Sequence, residues 1–302
     1  MGKITSIAVF GSAGRLGGAL RHLAPSNSHI DFDFYTRDDV DFQNLPELAR
    51  LCATAGWEAV IIAGSITNVD ACELDPPTAW TVNAHAPQVI AQSVALTTRV
   101  VFVSTDFVFS GEKLIPYTEL DEPVPLSVYG KTKYEAEQSV LAAAPHNLVV
   151  RTSWLFGGLK PSLPDIMIDR ACRQKNIEVV ADRWSCPTSV SDLAVAILRL
   201  IEEPESAGVF HFCNQGVCTP FDYSAWAIQC ARNHGMPICV ESLLPVSTAE
   251  SGALKAPRPT YSAMSTARYV SLIGAPPRDW QVALNDHVAQ FATGYSIPAV
   301  AA

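Results

Sequence analysis

Short, continuous apolar runs recur along the first half of the chain, with helix-forming segments between them. Runs without polar alternation are typical of parallel strands that helices cover on both faces. The predicted strands are IAVF (7–10), FDFY (32–35), EAVIIA (58–63), RVVFVS (99–104) and NLVVRTS (147–153). The predicted helices are residues 15–23, 45–55, 78–96 and 128–143. The pattern therefore predicts an α/β fold built on a doubly wound parallel sheet.

The pattern becomes less regular after residue 157. The predicted elements there are helices at 166–174, 191–201 and 221–234, and strands at IEVVA (177–181) and GVFHFCN (208–214). Residues 257–277 are rich in turn residues, so we expect them to be irregular. We predict a first domain at residues 1–157 and a smaller, mainly substrate-binding lobe at residues 158–302, with residues 190–220 returning to the sheet.

Composition and charge argue against several classes of function. The 302 residues carry a formal net charge of −9 and show no basic stripe, which disfavours a nucleic-acid partner. No apolar run is long enough to span a membrane, and the first strand starts too early for a signal peptide. The eight cysteines form no CxxC pair and have no histidine at metal-ligand spacing, so we expect reduced thiols in a cytoplasmic protein and predict no metal site. Cys213 and Cys218 are the alternative, as a metal or redox pair.

A glycine-rich stretch, GSAGRLGG, directly follows the first predicted strand and opens the first predicted helix. Gly11, Gly14 and Gly17 suit the tight turn, the approach to a pyrophosphate and the helix–strand contact of a dinucleotide-binding loop. The helix N-terminus would face the anion. We therefore predict a Rossmann-type NAD(P)-binding domain; the alternative is a turn that only requires glycine. The predicted loop residues are Gly11, Ser12, Ala13, Gly14, Arg15, Leu16 and Gly17.

The end of the second predicted strand, YTRDD, bears on the type of nicotinamide cofactor. Arg37 is suited to pair with the 2′-phosphate of NADPH, whereas Asp38 or Asp39 is suited to bind a ribose hydroxyl of NADH. Because Arg37 is nearest the strand end, we predict NADPH, with NADH as an alternative. The remaining alternative is that these are solvated loop charges.

Four hydroxyl or amino side chains follow a central strand. Ser104 and Thr105 lie at its carboxyl end, where open α/β sheets bind ligands, and Tyr129 and Lys133 share one face of the next predicted helix. Hydride transfer to a ketone creates an alkoxide, which needs a proton and a hydrogen-bond donor. Tyr129 would give the proton, Lys133 would lower the tyrosine pKa from about 10, and Thr105 would bond the same oxygen. The group predicts a ketone reductase; the alternative is a surface helix of mixed polarity.

Sequence blocks along nearly the whole chain carry a family resemblance. They are GSAGRLG, ITNVDACELDP (66–76), TVNA (81–84), STDFVFSG (104–111), PYTELDEPVPLSVYGKTKYEAE (116–137), RTSWLFG (151–157), CPTSVSDLA (186–194) and RPTYSAM (258–264). The chain resembles an extended short-chain dehydrogenase/reductase and, more narrowly, the dTDP-4-dehydrorhamnose reductase family. The resemblance implies an NAD(P)H-dependent oxidoreductase of dTDP-rhamnose biosynthesis. It would reduce the 4-keto group of a nucleotide-activated deoxysugar, dTDP-4-dehydrorhamnose to dTDP-L-rhamnose.

The resemblance also implies roles for individual residues. Thr105, Tyr129 and Lys133 would carry the reduction. Trp154 would give the sugar a flat apolar wall, with a core tryptophan as the alternative, and Arg258 would face the nucleotide end of the substrate, with a surface charge as the alternative. The implied cofactor side is Ala63, Gly64, Ser65, Asn83, Tyr129 and Lys133. The implied substrate side is Val69, Ser104, Thr105, Asp106, Trp154 and Arg258.

The chain departs from the family pattern after the third predicted strand. The family usually reads Asn-Ala-Ala-Ala-Tyr-Thr there, and this chain reads IAGSIT (62–67). The family's FDG turn is FSG at residues 109–111. These changes leave open a reductase of a non-sugar ketone, or a non-catalytic NADP-binding role similar to the regulatory subunit of methionine adenosyltransferase. A homodimer is the common family arrangement, and no magnesium site is predicted.

Overall fold

Parallel strands form the centre of the molecule. A computed structural model describes residues 4–158, 160–252 and 255–294, and ten strands lie within those ranges. They are β1 Ser6–Phe10, β2 Asp31–Tyr35, β3 Ala59–Ile62, β4 Arg99–Thr105, β5 Leu148–Thr152, β6 Leu155–Phe156, β7 Asn176–Val180, β8 Thr188–Ser189, β9 Gly208–His211 and β10 Ser242–Val246. The main sheet has the order β2-β1-β3-β4-β5-β9, and all its pairings are parallel.

The strand order places a crevice at one point of this sheet. The chain runs from β1 outward to β2, then returns to the other side of β1 for β3, β4 and β5. The connections on the two sides of β1 therefore diverge, which opens a crevice at the carboxyl ends of β1 and β3. The predicted doubly wound, Rossmann-type α/β fold is confirmed.

Helices cover both faces of the sheet. Within the described ranges they are α1 Arg15–Leu23, α2 Leu45–Thr54, α3 Val69–Leu74, α4 Pro76–Trp80, α5 Ala86–Ser93, α6 Val128–Ala143, α7 Leu163–Ala171, α8 Val190–Glu202, α9 Pro220–Asn233, α10 Thr248–Ser251, α11 Ala267–Ile273 and α12 Trp280–Gly294. Among these helices, none is long and apolar enough to cross a membrane.

Alternate residues of each strand supply the two cores. Ile7 and Val9 of β1 pack with α1 and α8 on one face, whereas Ala8 and Phe10 pack with α2, α5 and α6 on the other. All four residues are fully buried. This double burial explains why the strands read as unbroken apolar runs, since neither face meets water.

Three features of the fold differ from the sequence prediction. The single helix expected at 78–96 is observed as α4, a π-helical turn at Thr81–His85 and α5. It begins earlier than expected because Asp75 caps α4 ahead of two prolines, and Pro87 at the start of α5 has no N–H to continue the α-helical hydrogen bonds. The segment 257–277, expected to be irregular, contains α11. Strand β10, which lacks a distinctive pattern, pairs with β7 in a separate two-stranded sheet, and α12 packs beside α9.

Candidate active site

The loop between β1 and α1 crosses the carboxyl end of the sheet under tight steric limits. Gly11 has a φ of +87°, and a Cβ there would lie 2.4 Å from the backbone nitrogen of Gly64, which follows β3. A Cβ at Gly17 would lie 2.4 Å from the Cα of Ser12. A side chain at either glycine would push these backbones apart. The glycines therefore bring the ends of β1 and β3 and the start of α1 together.

The first turn of α1 presents backbone N–H groups at this crevice. Gly14 is the N-cap of this nine-residue helix and makes no side-chain cap, and no acidic residue lies in the first turn. Uncapped N–H groups and the helix dipole favour a phosphate at this position. Ala13 and Gly14 line the crevice. The side chain of Leu16, in the first turn of α1, is buried in the core. The Ser12 hydroxyl accepts a hydrogen bond from Arg21 at 3.3 Å.

The side chain of Arg15 points away from the glycine turn. Its guanidinium donates to the carbonyl of Gly157 at 3.3 Å and also to the carbonyls of Lys160 and Pro161. These contacts tie α1 to the segment that follows β6. At this residue, therefore, only the backbone N–H is placed to contact a cofactor phosphate. The side chain joins two parts of the chain.

A cleft of about 260 Å³ opens from the glycine loop along the end of β2. Arg37 lines this cleft, whereas Asp39 accepts hydrogen bonds from the Thr36 N–H at 2.8 Å and the Thr36 hydroxyl at 2.7 Å. The carboxylate of Asp39 is thus engaged within its own turn. The lining of the cleft also includes Gly11, Ala13, Gly14, Phe42, Ala63, Gly64, Ser65 and Ile66. This donor set and the glycine cradle fit a dinucleotide with an additional phosphate near Arg37.

Asn83 positions one wall of the cleft without facing it. The side chain is fully buried, and its oxygen accepts from the Ser65 hydroxyl at 2.9 Å and the Ile66 N–H at 2.8 Å. Its amide group donates to the Ile66 carbonyl at 3.0 Å and to the Thr132 hydroxyl at 3.4 Å. Asn83 therefore fixes the segment after β3 against α6, and the π-helical turn directs its side chain inward.

Tyr129 and Thr105 meet at the carboxyl end of β4. Tyr129 lies in the first turn of α6, which begins after the proline-rich stretch because Ser127 accepts from the Gly130 N–H at 3.2 Å. Burial raises the pKa of Tyr129, and a hydrogen bond with the Thr105 hydroxyl partly opposes that rise. The phenol is therefore protonated at neutral pH, next to a second hydroxyl that can bond the same oxygen.

Lys133 lies one turn after Tyr129 and is almost completely buried. Its ammonium donates to the carbonyl of Val103 at 2.6 Å and lies 4.0 Å from the centroid of the Phe102 ring. Burial lowers the pKa of Lys133 to about 7, and the nearby charge of Glu137 opposes this effect. The lysine is thus held at the site in a state whose charge a bound ligand can change.

The close approach of α6 to the strand end depends on Gly130. A Cβ at this position would lie 2.3 Å from the carbonyl oxygen of Phe107. The Phe107 ring packs edge-on against Tyr129, with 5.7 Å between the ring centroids. A larger residue would move α6, and Tyr129 with it, away from Thr105.

Asp106 connects the first half of the chain to two later segments. Its carboxylate accepts from the Ser262 hydroxyl at 2.5 Å and from the Ser185 hydroxyl at 2.9 Å. Burial raises the pKa of Asp106 to about 6, against the effect of these donors. The predicted substrate contact at Asp106 is thus located between Thr105 and the C-terminal segments, within a buried hydrogen-bond network.

The hydroxyl of Ser104 faces a different group from the hydroxyl of Thr105. Ser104 donates to Glu137 at 2.5 Å, and Glu137 forms a buried ion pair with Arg151 at 2.6 Å. Adjacent strand residues point to opposite faces, which explains the divergence of Ser104 and Thr105. The structure therefore places Ser104 in an internal ion-pair network rather than beside Tyr129.

Trp154 has the unusual backbone that strained functional positions often show. Its φ is +40°, the one positive φ at a non-glycine residue in the described chain. The half-buried ring lies 6.4 Å from the ring of Tyr223 and packs onto the cluster around α9 and α12. It lines a second cleft, here called the Trp154 cleft. Its lining is Trp154, Leu155, Leu163, Pro164, Arg183, Pro220 and Tyr223.

Arg258 is a paired residue rather than an isolated surface charge. Its guanidinium forms two parallel hydrogen bonds to Asp70, at 3.1 Å and 2.9 Å. Asp70 also accepts from the backbone N–H of Ala256 at 2.7 Å, and the Arg258 contact holds the pKa of this carboxyl well below its usual range. The adjacent Val69 packs beside Tyr129. The pair therefore fastens the C-terminal segment to α3 at the edge of the site.

Comparison with known proteins decides the family. Residues 5–293 match the model of the RmlD substrate binding domain. A dTDP-4-dehydrorhamnose reductase of Escherichia coli is 31% identical over 284 residues, which are 92% of this chain and 95% of that protein. The chain belongs to the dTDP-4-dehydrorhamnose reductase family. The predicted family is therefore confirmed.

Two further relatives indicate the breadth of the family. A probable dTDP-4,6-dihydroxy-2-methyloxan-3-one 4-ketoreductase of Streptomyces antibioticus is 33% identical and covers 92% of each chain. The crystal structure of a dTDP-4-dehydrorhamnose reductase of Bacillus anthracis in complex with NADP superimposes with a TM-score of 0.87. It is 29% identical and covers 95% of this chain and 99% of that chain.

The departures from the family pattern after β3 lie in the sheet core and beside Tyr129. Ile62 ends β3 and is fully buried in the sheet core. Ile66 packs with Tyr129 and also lines the cleft beside the glycine loop. The tyrosine usual at this place in the family is thus replaced by an aliphatic group that carries no hydrogen-bonding atom.

Several residues of the site were not predicted from the sequence. Ser185 and Ser262 donate hydrogen bonds to Asp106, Asp70 pairs with Arg258, and Gly130 allows α6 to approach the end of β4. Of these residues, only Gly130 could have been found from the sequence, because it lies inside the Tyr-Gly-Lys stretch. The thiols of Cys186 and Cys213 both point to the Met264 carbonyl. Cys213 therefore lies next to Cys186, whereas sequence spacing had suggested Cys218.

Proposed function

We propose that the protein is an NADPH-dependent reductase of the 4-keto group of a nucleotide-linked 6-deoxysugar, with dTDP-4-dehydrorhamnose as substrate and dTDP-L-rhamnose as product. The observation that carries the proposal is the position of Tyr129 in the first turn of α6, beside Thr105 at the end of β4 and one turn ahead of buried Lys133. This group lies at the same edge of the sheet as the glycine cradle between β1 and β3. The membership of the chain in a family of 4-keto-sugar reductases supports the same proposal.

The glycine cradle and its surroundings would hold the cofactor. The N–H groups at the start of α1 would bind the pyrophosphate, and Arg37 would pair with the 2′-phosphate. Ser65 and Asn83 keep the wall after β3 in place. When bound, NADPH supplies the hydride for the ketone carbon.

The protein's own groups complete the reduction. The Tyr129 phenol donates its proton to the ketone oxygen as negative charge develops there, and the Thr105 hydroxyl donates a hydrogen bond to the same oxygen. Lys133 bonds the ribose and, as an ammonium, stabilises the tyrosinate that remains. The Val103 carbonyl holds this lysine in place before the cofactor binds.

The part of the chain after residue 157 would act mainly as the substrate-binding lobe, packed beside the NAD(P)-binding domain at residues 1–157. Trp154 supplies an apolar wall for the sugar ring, and Asp106 accepts a hydrogen bond from a sugar hydroxyl. Arg258 faces the nucleotide. We further propose a cytoplasmic enzyme, active without nucleic acid or membrane and assembled as a homodimer.

Loss of the NADPH absorbance in the presence of dTDP-4-dehydrorhamnose tests the proposed reaction. We expect turnover by the wild type and a fall in kcat of about 10²- to 10⁴-fold in Tyr129→Phe, the range for loss of a general acid. Tyr134→Phe, on the same helix, is the matched control. Turnover in Tyr129→Phe at the control rate would remove Tyr129 from the mechanism. A parallel assay with a 2-deoxy 4-keto sugar nucleotide tests which sugar is preferred. This sugar is chosen because a Streptomyces antibioticus relative is named as a ketoreductase of such a compound.

The cofactor preference has its own test. Arg37→Ser removes the cation at the β2 side of the cleft, so the Kd of NADPH should rise about 10- to 100-fold, as expected for loss of a charged hydrogen bond. The Kd of NADH should change less than threefold. Arg50→Ser on the exposed face of α2 controls for net charge. Equal effects of Arg37→Ser on NADPH and NADH would contradict the assigned role.

A further inference from the structure

Arg183 is a half-buried cation without a counter-ion in contact. Among the described residues, its guanidinium makes no ion pair or hydrogen bond, and its Nε is buried. The preceding carboxylate, Asp182, is instead bonded to the N–H of Thr248 at 2.8 Å and to its hydroxyl at 2.6 Å. Burial lowers the pKa of Arg183 and the charge of Arg258 adds to this effect, whereas the charges of Asp182 and Asp106 oppose it without contacting the guanidinium. A desolvated cation of this kind is costly unless a ligand supplies the missing anion.

A second unsatisfied group lines the same cleft. The side chain of Tyr223 is 1% exposed, and its hydroxyl has no hydrogen-bond partner. Both Arg183 and Tyr223 line the Trp154 cleft, whose other walls are apolar apart from the backbone. Buried polar groups are seldom left unpaired. Two unsatisfied donors on residues that line one cleft therefore indicate a ligand with oxygen acceptors.

The backbone around Arg183 is held rigidly. The N–H of Trp184 donates to the Thr260 carbonyl at 2.8 Å, and the Trp184 carbonyl accepts from the Ser262 N–H at 2.8 Å. The next residue, Ser185, pairs with Cys218 through its backbone and bonds Asp106 through its hydroxyl. Arg183 is thus two residues from a buried contact to the reaction centre. A preorganised cation loses little entropy when an anion binds.

We propose that Arg183, with the hydroxyl of Tyr223, binds the phosphate next to the sugar in the nucleotide-sugar substrate. The inference rests on the proposed function, because that substrate brings a diphosphate to the same site as the ring that faces Trp154. A guanidinium is suited to phosphate through parallel hydrogen bonds. Arg258, already neutralised by Asp70, remains for the nucleotide side.

Titration calorimetry with dTDP and dTMP tests this assignment without turnover. Arg183→Gln keeps a polar side chain with N–H donors but removes the charge and shortens the side chain. We expect its Kd for dTDP to rise about 10- to 150-fold, the equivalent of a charge-assisted hydrogen bond, and its Kd for dTMP to change less than threefold. Arg183→Lys should recover part of the dTDP affinity, and Tyr223→Phe should weaken it by a smaller factor. Arg50→Gln, exposed on α2, controls for net charge, and an unchanged Kd for NADP verifies the fold of each variant.

Each other outcome overturns the assignment. Equal dTDP affinity in Arg183→Gln and wild type would remove Arg183 from the phosphate site. An equal loss for dTDP and dTMP would place the contact at the phosphate next to the nucleoside. Failure of the wild type to bind dTDP would exclude a nucleotide diphosphate altogether. If dTDP binds through Arg183 but NADPH oxidation is absent with the keto sugar, the proposed function fails and the phosphate site stands.

Discussion

Two buried cations lie near each other at the carboxyl end of the sheet, and they differ in what surrounds them. Arg151 of β5 is paired with Glu137 through contacts at 2.6 and 2.9 Å, with side chains only 3% and 0% exposed. Lys133 of α6 has a backbone carbonyl at 2.6 Å and a phenylalanine ring for neighbours. Glu137 lies one helical turn from Lys133, yet its oxygens are bonded to Arg151 and Ser104.

The difference separates a cation that is paired within the fold from one that is available to a ligand. A buried ion pair with all its hydrogen bonds made is stable in itself, and removing one partner leaves an uncompensated charge. A buried lysine on a carbonyl is costly to the fold, and such groups are found where a ligand or a reaction uses them. The free energy of unfolding should therefore respond in opposite directions when each group is neutralised.

Glu137→Gln should give the largest change in stability. The substitution leaves Arg151 charged and buried without a counter-ion, so we expect a loss of about 3–5 kcal/mol in the free energy of unfolding. Urea denaturation measures it. Glu135→Gln, exposed on the same helix, is the control and should change stability by less than about 0.5 kcal/mol. A loss below about 1 kcal/mol for Glu137→Gln would mean that the Glu137–Arg151 pair contributes little to the stability of the fold.

The sequence pattern indicated the candidate catalytic residues better than it indicated the buried Glu137–Arg151 ion pair. Tyr129, Lys133 and Thr105 could be predicted because their spacing and position after a strand have a chemical meaning. Glu137 and Arg151 are separated in sequence and belong to different elements, so no local pattern connects them. The same limit applies to Asp70 with Arg258 and to the serines that bond Asp106, because sheet order and loop packing bring them together. The main sheet could be predicted since each strand is buried on both faces, whereas β10 and α11 lacked such a signal.

Lys133→Met should give the second largest change, in the opposite direction. The substitution removes a buried charge whose pKa is lowered from 10.5 to about 7, at about 1.4 kcal/mol per pKa unit. Loss of the Val103 contact and altered packing offset part of the gain, so we expect about 1–3 kcal/mol of added stability in the cofactor-free protein. Turnover should fall about 10²- to 10⁴-fold. Lys131→Met, exposed on the same helix, should change neither quantity greatly.

The pH dependence of this gain follows from the direction of the shift. A lysine whose folded-state pKa is depressed contributes fully to stability above its unfolded pKa, and this contribution is lost as the pH falls through the folded value. The advantage of Lys133→Met over the wild type should therefore be greatest below pH 7 and shrink toward pH 10.5. Urea denaturation at several pH values measures it. If Lys133→Met is less stable than the wild type at pH 7, Lys133 stabilises the fold as Arg151 does.

Asp106→Asn should give the smallest change and tests whether a satisfied carboxylate can still be reactive. Asp106 has two serine donors, yet burial raises its pKa from 3.8 to about 6. Its stabilising contribution is therefore complete below the unfolded pKa and is lost as the pH rises through about 6. We expect Asp106→Asn to be about 1 kcal/mol more stable than the wild type at pH 8 and equal to it near pH 4, while KM for the keto sugar rises. Asp31→Asn, exposed on β2, is the control. A loss of stability at pH 8 would mean that the two serine contacts outweigh burial, and Asp106 would then resemble Glu137 rather than Lys133.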